Sequence, residues 1–497
     1  GEKCPLKPIL PSAIDCSGCD EYMNKLDYIK LERARNNFRT PQSVLGYGKV
    51  YLFLSVITLV QFHGALQMGT ENGRDKLDAI EVAELLLTAD IYNRKENLTE
   101  DDLPPNIRKH YFDAESRGVK RPIYVTSSDV EKIYGILNVK SVIKDLTFVA
   151  FEEFGSQLRL TVFDVAARWF ANQRDLDRIR SNPTLAYFFE NYDSLNVSYS
   201  QAREDNRPLS ADREWIDARI KELCKDAKEA DELLKLAYIK APEDVRDSIA
   251  GLVLNEEQKA EIEKMGKAIK NRQYLEDIGL YEIGKLLFVG PPGTGKTSTA
   301  RALSKRFSLP IVEVRLSMIT SQYLGETSKN IDKVFELAKR LSPCILLIDE
   351  FDFVAKTRTS DEHGAMKRAV NSLLKAIDEI SLVEHGVLLL AATNHPQLLD
   401  YAAWRRFDKV LTFPLPDLAM RRMILDKVLS PIDVQPDTAK LAEMTEGYSG
   451  SDLRLVIREA VLNALLEDRK KLSQEDLERS VGEFRRRISD YKRSVAA

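Results

Sequence analysis

The sequence feature that most constrains the fold is a glycine-rich octapeptide, GPPGTGKT, at residues 290–297. It follows the apolar run Leu286–Gly290 and opens the stretch TSTARALSKRF, which favours a helix. A strand, then G-x-x-x-x-G-K-[ST], then a helix is the context in which this motif forms a phosphate-binding loop. Its glycines let backbone N–H groups point at phosphate oxygens, and the helix N-terminus adds its dipole. The segment therefore predicts a P-loop α/β domain, whereas a glycine-rich turn that matches by chance would not need the flanking strand and helix.

The rest of the C-terminal half continues this alternation of strands and helices. Short apolar runs predict strands at Leu286–Gly290, Pro310–Leu316, Cys344–Glu350, Val387–Asn394 and Val410–Pro416. Helical patterns lie between them at Gly295–Phe307, Ser328–Leu341 and Ala365–Ile380. Continuous apolar strands alternating with helices indicate a parallel sheet that is covered on both faces. Only helical patterns follow, which predicts a small all-α domain at the C-terminal end.

Length and pattern divide the chain into four parts. A chain of 497 residues exceeds one ordinary core. Residues 1–210 are predicted to be a mainly helical region with a short strand or two, and they contain no recognisable motif. Residues 211–245 are rich in charge, alanine and leucine, which predicts a connecting helix that ends at Pro242; a partner-binding coiled coil is the alternative. Residues 246–416 are the predicted P-loop domain, and residues 417–497 are the predicted α-helical lid.

Composition limits the partners and the cellular setting. Hydrophobic residues make up 44% of the chain, and the net charge of -4 is too small to indicate a nucleic-acid surface. Five cysteines in so long a chain do not form a disulfide framework, which favours a reducing, cytoplasmic location. Cys4, Cys16 and Cys19 have no fourth ligand nearby, so surface thiols are favoured over a zinc site. The apolar run Val50–Val60 is shorter than the ~20 residues of a membrane span and predicts a buried core element instead.

Polar residues at the predicted strand ends complete a site for phosphoryl transfer. Lys296 is expected to reach the β- and γ-phosphates, and the Thr297 hydroxyl to coordinate Mg²⁺. Asp349 and Glu350 follow the run CILLI, at the edge where an open α/β sheet binds ligands. Asp349 suits the Mg²⁺ shell, and Glu350 is the candidate base that polarises the attacking water. Asn394 ends the next strand and is a candidate to hold that water or contact the γ-phosphate, with a turn-forming asparagine as the alternative.

In this order the motifs resemble the AAA family of ATPases, and within it the branch that holds katanin, spastin and the ESCRT-disassembly ATPase. The resemblance covers about residues 245–497 and rests on GPPGTGKT, on LLIDE at 346–350 and on AATN at 391–394, which resembles the sensor-1 strand. It implies ATP and Mg²⁺ as cofactors and hydrolysis of ATP to ADP and phosphate. The implied nucleotide contacts are Pro291, Pro292, Gly293, Thr294, Gly295, Lys296, Thr297, Ser298 and Asp349, and the implied catalytic residues include Lys296, Glu350 and Asn394.

Two further segments resemble the family's adenine contacts. Ile249–Gly251 is similar to the segment that packs against adenine. Gly450 and Ser451 lie in GYSGSD at 447–452, which resembles the start of a lid helix beside the adenine. Ser449 and Asp452 also have the spacing of a capping box, and the two interpretations are compatible.

Arg405 and Arg406 lie in LDYAAWRRFD at 399–408, which resembles the family's arginine-finger segment. The resemblance implies that both reach the γ-phosphate of the neighbouring subunit, and an arginine supplied in trans contributes ~10³–10⁵ in rate. Trp404 stands where relatives often carry a further arginine. A solvated surface pair is the alternative interpretation.

The segment TSQYLGE at 320–326 resembles the family's central pore loop. Tyr323 and Leu324 would be the aromatic and aliphatic residues that grip an unfolded polypeptide; a tyrosine packed against its own subunit is the alternative. The resemblance implies a homo-oligomer, a hexamer, that remodels, unfolds or disassembles a protein substrate by threading it through a central pore. The substrate and any adaptor are not readable from the sequence.

Two other functions stay open at this point. A P-loop ATPase acting on nucleic acid would need a basic channel, which the charge balance does not indicate. A nucleotide-switched scaffold would not need Glu350, Asn394 and the arginine pair together. Protein remodelling is therefore favoured.

Overall fold

The computed structural model describes residues 76–192, 194–224, 227–316, 327–352, 364–399, 401–432 and 434–496. Asp78–Ala497 form one compact unit, to which the elements below belong, apart from the first two residues of the first helix. The predictions that fall outside the described residues are those for Cys4, Cys16, Cys19, Val50–Val60, Tyr323 and Leu324.

An N-terminal module precedes the nucleotide-binding part. Its helices are α1 (residues 76–94), α2 (Pro105–Tyr111), α3 (Ser127–Tyr134), α4 (Val139–Ile143), α5 (Phe163–Asn172), α6 (Leu176–Arg180), α7 (Pro183–Phe189) and α8 (Tyr199–Asp205). Its strands are β1 (Phe112–Asp113), β2 (Gly118–Val119), β3 (Val125–Thr126), β4 (Val149–Glu152) and β5 (Gln157–Leu160). Strands β1 and β2 form a hairpin, and the other three form an antiparallel sheet in the order β3-β5-β4. The module has its own apolar core and is mainly helical as predicted, but it contains more strands than the one or two expected.

The middle of this module has the connectivity of a winged helix-turn-helix. Gly135 ends α3 in the left-handed region, with φ at 76°. Asn138 begins α4, where its side chain accepts a hydrogen bond from the Ser141 N–H. Two helices joined by a short, glycine-containing turn make a helix-turn-helix, and the hairpin β4–β5 that follows supplies the wing. Sequence pattern does not predict this motif, because α4 is a single turn and the strands are short.

The predicted connecting helix is wrong over its C-terminal part. The segment divides into α9 (Arg213–Leu223), α10 (Ala227–Leu236) and the strand β6 (Ala237–Lys240). In β6 the side chains alternate between buried and exposed, a period of two that fits a strand and not a helix. The connecting segment therefore enters the central sheet instead of ending in solvent at Pro242.

The α/β domain has the predicted alternation of elements. In chain order they are α11 (Glu256–Lys270), α12 (Arg272–Asp277), β7 (Lys285–Val289), α13 (Lys296–Phe307), β8 (Ile311–Val314), α14 (Thr327–Arg340), β9 (Cys344–Ile348), α15 (Gly364–Asp378), α16 (Leu382–His385), β10 (Val387–Thr393), α17 (Tyr401–Trp404) and β11 (Lys409–Thr412). The sheet order is β11-β7-β10-β9-β8-β6. Strands β7 to β11 are parallel, whereas β6 pairs antiparallel with β8, so the sheet is mixed at one edge. Buried apolar clusters cover both faces, which confirms the predicted fold class.

The C-terminal part is all-α, as predicted. Its helices are α18 (Leu418–Leu429), α19 (Thr438–Met444), α20 (Gly450–Leu466) and α21 (Gln474–Ala496). They enclose a separate core, so this lid is a folded body in its own right. Among the described residues, every helix is too short or too polar to cross a bilayer.

Candidate nucleotide-binding site

Three parallel strands end side by side at one edge of the sheet. Strand β10 lies between β7 and β9, with Thr393 opposite Val289 and Ala391 opposite Ile348. The residues that follow these strands therefore come together: the loop from Gly290, the acidic pair from Asp349, and Asn394. Ligands of open α/β sheets bind outside the carboxyl ends of the strands, so this edge is the expected site.

The loop after β7 needs glycine where it leaves the sheet. A Cβ added at Gly290, whose φ is 152°, would lie 2.1 Å from the Phe413 carbonyl oxygen. Gly295 has φ at 97° and directly precedes α13, so its backbone turns the chain into the helix. The Thr294 hydroxyl donates to the Pro291 carbonyl at 2.9 Å and fixes the loop between these turns. Backbone N–H groups at the start of α13 are left free for an anion.

The Lys296 side chain folds back over this loop. Its Nζ donates to the carbonyl oxygens of Gly290 at 2.8 Å and Pro291 at 2.7 Å. The residue is buried, and burial lowers the pKa of Lys296, while Asp349 and Asp352 act in the opposite direction. The ammonium group is thus held inside the phosphate loop at the N-terminus of α13.

Thr297 and Asp349 form an oxygen pair suited to Mg²⁺. The Thr297 Oγ1 donates to Asp349 Oδ2 at 2.8 Å, so the hydroxyl and the carboxylate oxygen are adjacent. Mg²⁺ prefers hard oxygen ligands and takes one or two from the protein, with the rest from phosphates and water. Within the described residues no group of three or more His, Cys, Asp or Glu side chains could hold a metal ion by itself. The donor set fits an ion that arrives with a nucleotide.

Glu350 stands out by its backbone. Its φ is 53°, in the left-handed region that non-glycine residues rarely adopt. The Glu350 N–H donates to Asp349 Oδ1 at 2.9 Å, and the next N–H, of Phe351, donates to the Ala392 carbonyl at 2.8 Å. The chain therefore turns sharply after β9 and leaves the Glu350 side chain exposed at the edge. Such outliers concentrate at functional sites.

Two buried residues behind this turn were missed by the sequence reasoning. Thr393 Oγ1 donates to Asp352 Oδ1 at 3.3 Å and accepts from the His395 N–H at 3.1 Å. These bonds fix the end of β10 against the segment after β9, and the half-buried Asn394 lies between Thr393 and His395. The only signal in the sequence was an acidic residue two positions after Glu350, which by itself is uninformative.

The lid contacts the phosphate loop through the start of α20. Ser449 and Asp452 form the predicted capping box, which is confirmed. The Ser451 N–H donates to the Gly293 carbonyl at 3.1 Å. A second contact joins Lys427 Nζ to the Ala250 carbonyl, in the 3₁₀ turn Ile249–Gly251. The two segments expected beside the adenine are thereby joined through the lid.

Comparison with known proteins agrees with this geometry. Residues 286–415 match the ATPase family associated with various cellular activities (AAA), and residues 436–479 match the AAA+ lid domain. An uncharacterized AAA family ATPase, y4kL of Sinorhizobium fredii, is 39% identical over 228 residues, which cover 46% of this chain and 68% of that protein. Spastin of Anopheles gambiae is 38% identical over 223 residues, 42% of this chain and 27% of that spastin. Spastin of Drosophila mojavensis is 39% identical over 188 residues, 37% of this chain and 24% of that spastin.

The chain belongs to the AAA family. It is therefore an ATPase, and its predicted likeness to the spastin branch is confirmed. The chain spans only about a quarter of the spastins' own length, at 27% and 24%. The two segments that match the family models, 286–415 and 436–479, lie after the N-terminal module and correspond to the ATPase domain and the lid.

Arg405 and Arg406, the predicted arginine-finger pair, differ in their surroundings. Arg406 is engaged within its own chain: its Nε lies 3.1 Å from Asp378 Oδ1 and 3.2 Å from the Leu374 carbonyl, both near the end of α15. Its Nη1 also bonds the Ala402 carbonyl. Arg405 is exposed. The sequence analysis predicted the same role for both arginines. In the structure Arg406 contacts Asp378 of its own chain, whereas Arg405 is exposed to solvent.

The contact between lid and phosphate loop predicts the effect of one added methyl group. A Cβ at Gly293, whose φ is 77°, would lie 2.5 Å from Ser449 Oγ, whereas a Cβ at Gly279, whose φ is 72°, meets nothing within 4 Å. Both alanine variants carry a left-handed strain of about 1–2 kcal/mol. Only Gly293→Ala displaces the lid, so we expect it to weaken ATP binding at least ~10-fold, and Gly279→Ala to leave binding within ~2-fold. Titration with a fluorescent ATP analogue, with thermal unfolding in parallel, measures both; equal affinities would contradict the lid contact.

Proposed function

We propose that the chain forms a homo-oligomeric ring, a hexamer, in which ATP hydrolysis drives a protein substrate through the central pore. The observation that carries this proposal is the location of Arg405 relative to the phosphate loop of its own subunit. Asp408 binds the first residue of β7: the Lys285 N–H donates to Asp408 Oδ2 at 2.7 Å, and the Asp408 N–H donates to the Lys285 carbonyl at 2.9 Å. The arginine pair thus lies near the amino end of β7, and the phosphate loop leaves its carboxyl end.

The length of β7 separates the arginines from their own nucleotide site. Four residue steps along a strand, at ~3.3 Å each, amount to about 13 Å. This exceeds the reach of an arginine side chain, and Arg406 is tied to the end of α15 besides. This distance supports the proposal that an arginine charge reaches the transition state from a neighbouring subunit, in addition to Lys296 of the same subunit, and Arg405 is proposed for that role. Arg406 is proposed as the residue that positions it.

Within each subunit the proposed roles follow from the contacts. Thr297 and Asp349 would hold Mg²⁺, which neutralises charge on the phosphates when it is bound with ATP. Lys296 and the N-terminus of α13 bind the phosphates. Glu350 accepts a proton from the attacking water, and Asn394 orients that water. The turn Ile249–Gly251 and the start of α20, with Gly450 and Ser451, enclose the adenine.

The proposed grip on the substrate comes from Tyr323 and Leu324. Their segment joins the carboxyl end of β8 to the start of α14, and β8 ends at the same edge of the sheet as β9. A Ser372–Ser328 hydroxyl contact of 3.0 Å ties α14 to α15. Nucleotide-dependent movement at this edge is thereby proposed to reach the loop. The proposed domains are residues 1–210, 211–245, 246–416 and 417–497, in a cytoplasmic protein.

Replacing the proposed base separates binding from hydrolysis. We expect Glu350→Gln to retain ATP affinity within ~3-fold and to lose hydrolysis by ~10² or more, because general base catalysis contributes ~10²–10⁴. Lys296→Ala is expected to lose binding itself. Both are measured by nucleotide titration and by phosphate release on the same preparations. Turnover by Glu350→Gln near the wild-type rate would show that another group activates the water.

Mixing subunits tests whether the arginine acts between chains. We expect Arg405→Ala to bind ATP normally and to hydrolyse it ~10³-fold more slowly, the lower end of the range for a finger supplied in trans. Adding inactive Lys296→Ala subunits is expected to restore activity, because an intact phosphate loop then faces an intact arginine. Arg406→Ala and Arg406→Lys are the matched variants for the positioning residue. We expect Arg406→Lys to hydrolyse ATP faster than Arg406→Ala, because lysine keeps part of the contact with Asp378. If mixing rescues Arg406→Ala but never Arg405→Ala, the finger is assigned to the wrong arginine.

The pore-loop proposal rests on a paired measurement. Tyr323→Ala is expected to keep basal ATP hydrolysis within a few-fold of wild type but to abolish stimulation by an unfolded protein, because the aromatic ring is proposed to pack against the passing chain and takes no part in phosphate chemistry. Tyr323→Phe should retain most of the stimulation. Single-stranded DNA serves as the second stimulant, at equal mass concentration and with ring assembly confirmed. Stimulation of ATP hydrolysis by DNA alone would favour a nucleic-acid motor. If neither the unfolded protein nor DNA stimulates hydrolysis but nucleotide controls assembly, a nucleotide-switched scaffold is favoured.

A further inference from the structure

The helix-turn-helix of the N-terminal module presents an outward face that its own fold does not use. We define this docking face as the turn at residues 135–138, helix α4 and the hairpin β4–β5. On its inner side Val130, Ile136, Val139 and Ile143 are buried in the module core. On its outer side Leu137 is 82% exposed and Phe154 is fully exposed.

The two exposed apolar residues lie beside α4 and on the wing, two elements that are in contact with each other. The Lys140 ammonium lies 4.7 Å from the centre of the Phe151 ring, which joins the first turn of α4 to β4. Leu137 is three residues before Lys140, and Phe154 is three residues after Phe151. The turn and the wing therefore flank a shared contact.

The turn of the wing is hydrogen-bonded to the start of α3. Gly155 and Ser156 both have positive φ, 85° and 52°, which closes a tight hairpin. The Ser156 carbonyl accepts a hydrogen bond of 3.0 Å from the N–H of Ser127, at the start of α3. Phe154 is thus presented on a turn that is tied to the start of α3, and an exposed aromatic side chain is a residue type that anchors protein interfaces.

Charge decides which class of macromolecule fits this face. From Asn138 to Leu160 the chain carries Lys140, Lys144 and Arg159 against Asp145, Glu152 and Glu153. Two of the three cations are occupied, Lys140 by the Phe151 ring and Arg159 by Glu152 at 3.0 Å. Nucleic acids are bound by neutralising several phosphates with free cations, and the exposed Glu153 next to Phe154 would repel them.

We propose that the docking face binds a folded protein that offers an apolar pocket bordered by lysine or arginine. Phe154 fills the pocket, Leu137 packs at its margin, and Glu153 pairs with the basic border. The proposal concerns the N-terminal module alone and does not depend on the ring, the arginine finger or threading. It assigns a partner-binding role to a region that the matched family segments do not reach.

The test begins by identifying the protein that contacts position 154. The full-length chain, carrying a photo-crosslinking phenylalanine analogue at 154 or, as control, at the exposed Val165 of α5, is irradiated in its native cells. A protein crosslinked from position 154 and not from position 165 is purified, and its affinity for the wild-type chain is measured by calorimetry. We expect Phe154→Ser to weaken binding at least ~10-fold, as for a central aromatic anchor.

The remaining variants test whether binding depends on the apolar and acidic side chains of the docking face. Leu137→Ser and Glu153→Lys should each weaken binding several-fold, Glu153→Lys more at low salt than at high salt, and Val165→Ser should have no effect. Because all four side chains are exposed, folding is checked by thermal unfolding and should be unchanged. A random-sequence 20-base-pair duplex is the nucleic-acid probe. Duplex binding that Lys140→Ala and Lys144→Ala abolish, or an absence of any purified protein whose affinity depends on Phe154, would overturn the proposal.

Discussion

The pairing of β7 between β10 and β11 is the constraint on which the nucleotide site depends. At its carboxyl end β7 must release the phosphate loop beside the chain that follows β11, and the close approach of the Phe413 carbonyl leaves no room for a side chain at Gly290. At its amino end Asp408 binds Lys285 and fixes the start of β11. One five-residue strand thus sets the position of both the phosphate loop and the arginine segment. Their separation is a property of the sheet and not of any flexible side chain.

The lid is joined to this site by few contacts, although its own core is complete. Its helices bury an apolar cluster that includes no residue of the sheet. The phosphate loop meets it through the Ser451–Gly293 hydrogen bond, and the turn Ile249–Gly251 meets it through Lys427. Because the lid has its own apolar core, these polar contacts can change without disrupting that core, as in other hinge closures around a ligand. The tight packing of Gly293 against Ser449 makes the phosphate loop sensitive to the position of the lid.

The sequence predicts the structure best where a continuous apolar strand is followed by a glycine-rich or acidic turn. Runs such as CILLI and VLLLAAT are apolar throughout because both faces of the sheet are covered, so the pattern alone predicts the strands and the edge at which the site lies. It failed for β6, whose four residues follow a charged amphipathic helix and whose alternation is too short to stand out. The sequence analysis also did not predict the helix-turn-helix, because one glycine and a few apolar positions are the only features of the sequence that indicate this motif. The unequal surroundings of Arg405 and Arg406 depend on Asp378, some thirty residues earlier, which no local pattern reveals.

The strand β6 also explains how the N-terminal module is connected to the ATPase core. Arg108 of α2 forms a 2.6 Å ion pair with Asp212, just before α9, and both side chains are almost fully buried. A buried pair of this kind adds little net stability, but losing one partner is costly, so it specifies how α2 and α9 meet. At the other end of the segment, Glu313 of β8 accepts from Lys240 of β6 at 3.0 Å and from Arg301 of α13 at 2.8 Å. The helix that begins at the phosphate loop and the strand that ends the connecting segment therefore share one carboxylate. The N-terminal module is in this way joined to the nucleotide-binding helix by ion pairs and a strand pairing, in addition to the covalent chain.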